Sequence, residues 1–259
     1  MLKFCANLSL MFTEGEMLSR FERAAKAGFK AVEVQFLYAH PAAQVAELLA
    51  QHKLEMILHN FPAGNFVQGE RGLACLPGRV GEFQDGVGQA IAYAKTIGCP
   101  RLNCLSGIAP KGVAADKLEQ TFVDNLRFAA QALDKAGLQL LAEPINTYDI
   151  PGFYLNHTLQ ALRLFDLAGH PNIRLQYDLY HMQIMEGDLV RTMRTHLKRI
   201  AHMQIADTPG RNEPGTGEIH YPNVFRFIEE MGYTGWIGAE YKPLKTTEEG
   251  LGWMRPYMK

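Results

Sequence analysis

Short apolar runs alternate along this chain with longer stretches whose apolar positions recur every three to four residues. The runs fall at residues 3–8, 31–36, 54–58, 101–105, 138–143, 173–178, 200–204 and 235–240. Runs of this length bounded by turn residues read as strands, and near-continuous apolarity is what burial on both faces of a parallel sheet demands. Helical repeats lie between and after them, at 16–27, 43–51, 78–97, 116–135, 158–168, 188–198, 223–231 and 247–257. Met17, Leu18, Phe21, Ala24 and Ala25 form the stripe of the first and Gly28 closes it. Asp116 reads as the N-cap of the fourth, with Gly137 just past its end. Eight strands alternating with eight helices predict an α/β fold, a single (β/α)8 TIM barrel over residues 1–259 as one domain. A doubly wound open sheet would carry a Gly-rich phosphate turn after its first strand, and Asn7-Leu-Ser-Leu-Met-Phe is not one.

The barrel reading gives the strand ends a meaning. Glu143, Asp178, Gln204 and Glu240 each terminate one of the last four runs. In a barrel of this kind the C-terminal strand ends and the loops after them build the active site. Three carboxylates and one amide carbonyl converging there suit a hard divalent cation, Mg²⁺ or Mn²⁺, and suit zinc less, which favours imidazole and thiolate. Two of the carboxylates can also move protons. The long irregular segment 61–77 reads as a functional lid. The polar, Pro-rich loop after Glu143 and the segment 207–218 belong to the same rim, and the glycines of the latter read as turn-makers rather than a phosphate cradle.

Composition narrows the partners. A net charge of -1 supplies no field for nucleic acid or an anionic membrane, and no apolar run approaches spanning length. No secretory leader is read at the N-terminus. The cysteines, Cys5, Cys75, Cys99 and Cys104, lack metal or redox spacing and read as reduced, buried thiols of a cytoplasmic protein. The oligomeric state is left open by the sequence, with a homo-oligomer compatible with it.

Nine motifs spread over the chain resemble the hydroxypyruvate isomerase family, within the xylose-isomerase-like barrels. They are Phe4-x-Ala-Asn-Leu-Ser, His59-Asn-x-Pro-Ala-Gly, Gly69-Glu-Arg-Gly, Pro77-Gly-Arg, Glu143-Pro-Ile-Asn, Gln176-Tyr-Asp-Leu-Tyr-His-Met-Gln, Gln204-Ile-Ala-Asp, Glu213-Pro-Gly-Thr-Gly-Glu-Ile and Gly238-Ala-Glu-Tyr-Lys-Pro. The resemblance implies interconversion of hydroxypyruvate and tartronate semialdehyde in glyoxylate and carbohydrate metabolism, with Glu143 and Glu240 as the proton donor and acceptor. Relatives of the same superfamily act as 2-oxo-tetronate isomerases or ketose 3-epimerases. The epimerases bind metal through Glu, Asp, His and Glu; this chain matches at Glu143, Asp178 and Glu240 and has Gln204 in place of the His.

Moving a carbonyl from C2 to C3 of a small hydroxy-oxo acid requires a carboxylate within reach of carbon, a second to return the proton, and an electrophile for the enediolate. Arg211, Arg71 and Lys242 are candidates to hold the substrate carboxylate, with solvated surface charge the stronger alternative for Lys242. His59 and His181 are candidates for the substrate hydroxyls or for orienting the carboxylate ligands. His202 reads as a satisfied core histidine, and Trp236 and Tyr233 as packing between helix and strand. A metal-dependent nuclease of this fold would need more histidines and a basic groove, and a non-catalytic binding module would have no use for two opposed glutamates.

Overall fold

The computed structural model describes residues 1–257. Its strands β1 (Lys3–Asn7), β2 (Ala31–Val34), β3 (Glu55–Asn60), β4 (Arg101–Cys104), β5 (Gln139–Ala142), β6 (Ile173–Asp178), β7 (Ile200–Ile205) and β8 (Trp236–Ala239) pair in chain order, all parallel, and β8 returns to β1 to close the barrel. The predicted (β/α)8 barrel is therefore the observed fold. Helices α1 (Arg20–Lys26), α2 (Ala42–His52), α3 (Val80–Ile97), α4 (Ala115–Ala136), α5 (Thr158–Ala168), α6 (Leu179–Met185), α7 (Leu189–His196) and α8 (Tyr221–Glu230) surround it, and a 3-10 helix over Glu249–Tyr257 ends the described chain.

The outer core follows from the helical stripes. On α4, Leu118, Phe122, Leu126, Ala129 and Leu133 are buried toward the barrel, the spacing a helix needs to lay one face on a sheet. The helix stops at Gly137, whose φ of 73° lets it close the last turn without a Cβ penalty. Its start corrects the sequence expectation. Ala114 occupies the cap position with no side-chain bond, and Asp116 sits inside the first turn, where its charge still complements the helix N-terminus.

Two other departures shape the site. Helix α6 begins directly at the end of β6, with Asp178 as its N-cap: Asp178 Oδ1 accepts from the backbone N–H of Tyr180 at 2.7 Å and of His181 at 3.4 Å. The strand's last residue thus aims the first turn of a short helix over the barrel mouth. The second departure is a β-bulge. Val32 pairs with Met56 but Glu33 pairs with Leu58, so β3 carries one extra residue at Ile57. A single inserted residue reverses every later side chain.

Inside the barrel, Cys5, Ala31 and Ile57 pack with Trp236 into a small apolar floor. Trp236 belongs there and not in the helix–strand layer, and Tyr233 donates its hydroxyl to Trp236 O at 2.9 Å. The four cysteines are free and buried. Among the described residues no helix is long and apolar enough to cross a membrane.

Candidate active site

Above the apolar floor the barrel interior turns polar. Glu143 and Glu240 follow immediately on β5 and β8, Asp178 ends β6, and Gln204 lies near the end of β7. All four are buried and pointed into the mouth, where Glu143, Gln204 and Glu240 line a cavity of about 530 Å³. One ligand-capable atom from each of Glu143, Asp178, His181 and Glu240 lies within 4.8 Å of the others. This is a buried cluster whose carboxylates can coordinate a divalent metal, with a histidine beside them.

The hydrogen bonds leave room for a cation. Glu143 Oε2 accepts from Asn103 Nδ2 at 3.1 Å and Gln176 Nε2 at 2.8 Å. Glu240 Oε1 accepts from Asn7 at 3.0 Å and Gln35 at 2.9 Å, and its Oε2 takes Arg211 Nη2 at 2.8 Å. Asp178 Oδ2, by contrast, is buried with no hydrogen-bond partner. An orphaned buried carboxylate oxygen facing two further carboxylates is costly unless a positive ion completes it. Burial, then Glu240 and Asp178, push the Glu143 carboxyl well above the usual range; burial and Glu240 push Asp178 to about 7, against the opposing pull of Arg211. Three acids facing one arginine fit a divalent ion.

His181 occupies the cluster, but its tautomer decides what it offers. Asn146 Oδ1 accepts from the Asp149 N–H at 2.7 Å, which fixes that amide, and Asn146 Nδ2 then faces both Asp149 Oδ2 at 3.1 Å and His181 Nδ1 at 2.7 Å. Nδ1 is therefore the acceptor. Burial and Arg211 hold the imidazole well below its ordinary pKa, so it is neutral and its one proton sits on Nε2. That N–H points toward Glu143 Oε1 and Asp178 Oδ2, 3.8 and 3.7 Å away. His181 thus presents a donor to an incoming oxygen, and the lone pair a metal would need is committed to Asn146. Asn146→Asp keeps the acceptor for Asp149 and removes the donor to His181. It is expected to reverse the tautomer, visible in ¹⁵N NMR of the ring, and to lower kcat about 10–100-fold; an unchanged tautomer with unchanged kcat would refute this role.

The other expected substrate contacts divide. Arg211 is part of the cavity wall, stacked over Tyr180 at 5.1 Å, with its guanidinium on Glu240. Arg71 also lines the cavity. Its Nη1 bonds only to the carbonyls of Phe66 and Glu70, its guanidinium lies 4.0 Å over the Phe66 ring, and among the described residues it has no carboxylate partner. Lys242 stands exposed at the edge.

His59 does not reach the cavity, contrary to the sequence expectation. The bulge in β3 turns Leu58 and Asn60 inward and His59 outward, where it stacks on Tyr93 at 5.3 Å and accepts from the Leu37 N–H at 3.0 Å. Burial drives its pKa down to about 3. It is a neutral packing residue.

The loops are built walls. The segment expected as a lid is pinned where Gly72 bridges Ser106; a Cβ on Gly72 would lie 2.4 Å from Leu105 O, so only glycine permits that approach. In the segment after β7, Asp207 accepts from the N–H groups of Thr208, Gly215, Gly217 and Ile219, all at 2.9–3.0 Å. Those N–H groups are spent on a carboxylate of the chain itself, so the glycines make turns.

Residues 21–257 match the family described as xylose isomerase-like TIM barrel. The chain is 52% identical over 257 residues to hydroxypyruvate isomerase of Escherichia coli (strain K12), covering 99% of this chain and 100% of that protein. The chain belongs to the hydroxypyruvate isomerase family. It is also 42% identical to 2-oxo-tetronate isomerase of Cupriavidus necator over 99% of this chain and 98% of that one. The crystal structure of an AP endonuclease, family 2 from Brucella melitensis, 44% identical, superposes with a TM-score of 0.97 over 100% of both chains.

In this member of the hydroxypyruvate isomerase family, several site residues have weak sequence signals. Asn7, Gln35, Asn103, Asn146 and Gln176 are neutral amides that bond to the carboxylates or to His181. Gln176 stands two residues before Asp178, the strand spacing that puts both on one face, and alternation would have found it. Glu33, a charge inside the fully buried strand β2, was visible as an anomaly. Burial would raise its pKa, but His202, through charge and a hydrogen bond, with Gln204 and Asn7, holds it below the ordinary range.

Proposed function

We propose that this protein interconverts hydroxypyruvate and tartronate semialdehyde, by proton transfer between Glu143 and Glu240. The observation that carries this reading is the pair of buried glutamates with Asp178 between them, their oxygens within 4.8 Å of one another. One glutamate removes the proton from C3 of hydroxypyruvate, the C2–C3 bond gains double-bond character as charge moves onto the C2 oxygen, and the other glutamate delivers a proton to C2. The hydroxyl proton passes from the C3 oxygen to the C2 oxygen, and the His181 Nε2–H is placed to steady that exchange. The glutamates end a turnover with their protonation reversed and are reset through solvent at the open mouth.

Glu143, Asp178 and Glu240, with the carbonyl oxygen of Gln204 as the neutral member, would hold Mg²⁺ or Mn²⁺. When bound, such an ion offsets the negative charge that develops on the substrate oxygens. Arg71, free of any carboxylate partner among the described residues, is the cation best placed to grip the substrate carboxylate, with Arg211 and Lys242 completing the rim. A small anion suits this rim better than a nucleic acid, given a net charge of -1. A four-carbon 2-oxo acid is the second reading: relatives at 42 and 40% identity are named 2-oxo-tetronate isomerase, and a cavity of about 530 Å³ has space for one more carbon.

In deuterated water with Mg²⁺ or Mn²⁺, the protein is expected to place deuterium on carbon in both hydroxypyruvate and its aldehyde product. Absence of label with either ion, while product still forms, would rule out solvent-exchanging glutamates; absence of both label and product would rule out the reaction.

A further inference from the structure

Beneath the carboxylates lies a second polar layer that the proton transfer does not use. Glu33 is 1% exposed, in the middle of a strand whose other members are all apolar. His202 Nε2 meets its Oε2 at 2.6 Å. Its Oε1 accepts from Asn7 Nδ2 at 2.9 Å and from Gln204 Nε2 at 2.7 Å. A buried carboxylate held this way is a poor source of stability, since well-packed apolar side chains usually serve as well or better. A specific task is the better explanation for keeping one.

The hydrogen bonds lead from Glu33 to both glutamates of the mouth. Asn7 Nδ2 also reaches Glu240 Oε1 at 3.0 Å. Gln204 Oε1 accepts from Gln176 Nε2 at 2.6 Å, and that same Nε2 reaches Glu143 Oε2 at 2.8 Å. The two amides are polar in the directional sense: each has an end that donates and an end that accepts, and nothing in their shape says which is which. A carboxylate accepts only. Placed below Gln204, it draws the NH₂ group downward and leaves the carbonyl oxygen uppermost. Across the barrel, Gly238 keeps the space clear, since a Cβ there would stand 2.4 Å from both Glu33 oxygens.

We propose that Glu33, held by His202, is a positioning residue that turns Gln204 carbonyl-first toward the cation; Asn7, whose Oδ1 accepts from the Ser9 N–H at 3.0 Å, is oriented without it. This rests on the reading of Gln204 as a metal ligand given above. Without Glu33, the Gln176 donor alone selects which end of Gln204 faces the ion, and the NH₂ group loses its acceptor below.

The test is Mn²⁺ affinity of the purified full-length chain, read by calorimetry or by EPR of the free ion, with thermal melts as the control for folding. Glu33→Met, which keeps volume and removes the acceptors, is expected to weaken Mn²⁺ binding about 10–100-fold. Adding Gln204→Glu to that variant supplies an oxygen whichever way the side chain turns, and is expected to recover most of the affinity, a rescue that mere damage to the core would not allow. If Glu33→Met does not fold, Gly238→Ala decides: it displaces the carboxylate while leaving every hydrogen-bonding group in the sequence, and weaker Mn²⁺ binding is again expected. Wild-type affinity in the folded Glu33 variant or, failing that, in Gly238→Ala overturns the positioning role, as does a folded double variant with no recovery. A wild-type chain that takes up no Mn²⁺ overturns instead the metal reading underneath.

Discussion

Replacing Glu240 by glutamine is expected to lower kcat about 10²–10⁴-fold, the range a positioned acid–base group supplies, with little change in the melting temperature. The side chain is buried and already surrounded by donors, with Asn7 and Gln35 on one oxygen and Arg211 on the other. Glutamine fills the same volume, but its NH₂ must face one of those donor sets, and it cannot take a proton from carbon. The loss should therefore fall on kcat more than on KM, and deuterium exchange into hydroxypyruvate should fall with it. Glu240→Gln with near-native turnover at saturating Mn²⁺ would take this residue out of the chemistry and leave Glu143 without a partner.

The barrel was legible because parallel strands covered on both faces must be apolar almost throughout, and those runs stand out against the helical repeats between them. The strand-end carboxylates were legible for a related reason: Glu143, Asp178 and Glu240 break apolar runs at the end where a barrel keeps its chemistry, and the fold does bring them into one buried cluster. His59 was misplaced because alternation was carried through β3 without its bulge, and the pairing of Glu33 with Leu58 is a property of two strands together. Helix α6 was missed because Leu179–Met185 continues the apolar character of β6, and the capping of that helix by Asp178 is made in three dimensions. Apart from Gln204, the amides were given no role, for a different reason. Asparagine and glutamine resemble ordinary surface residues in sequence, and their worth here lies in which end of the amide faces which carboxylate, as the fixing of His181 through Asn146 and Asp149 illustrates.

The same crowding of carboxylates that calls for a cation sets its pH dependence. Stripping divalent ions with a chelator is expected to lower turnover on the order of 10³-fold, the equivalent of several kcal/mol of lost charge stabilisation, with recovery on adding Mg²⁺ or Mn²⁺. In the metal-free protein Asp178 is raised from 3.8 to about 7 and Glu143 is raised as well, by burial and by neighbouring carboxylates. An ion entering that site must displace protons. Its affinity should rise from pH 5 toward 7 by about tenfold per pH unit for the Asp178 proton it displaces, with protons released on binding. The stability of the metal-free chain should run the other way. A carboxyl whose folded pKa lies above its unfolded one contributes fully below the unfolded value, near 3.8, and that contribution is lost as pH climbs through about 7. The metal-free protein therefore carries the strain of an ionised Asp178 at pH 8, where that carboxylate is free to bind Mn²⁺. The gain in melting temperature on adding Mn²⁺, measured by differential scanning fluorimetry against a chelator-treated control, should grow from pH 5 to pH 8. A gain that is flat, or greatest at pH 5, would mean that these acids do not hold the ion.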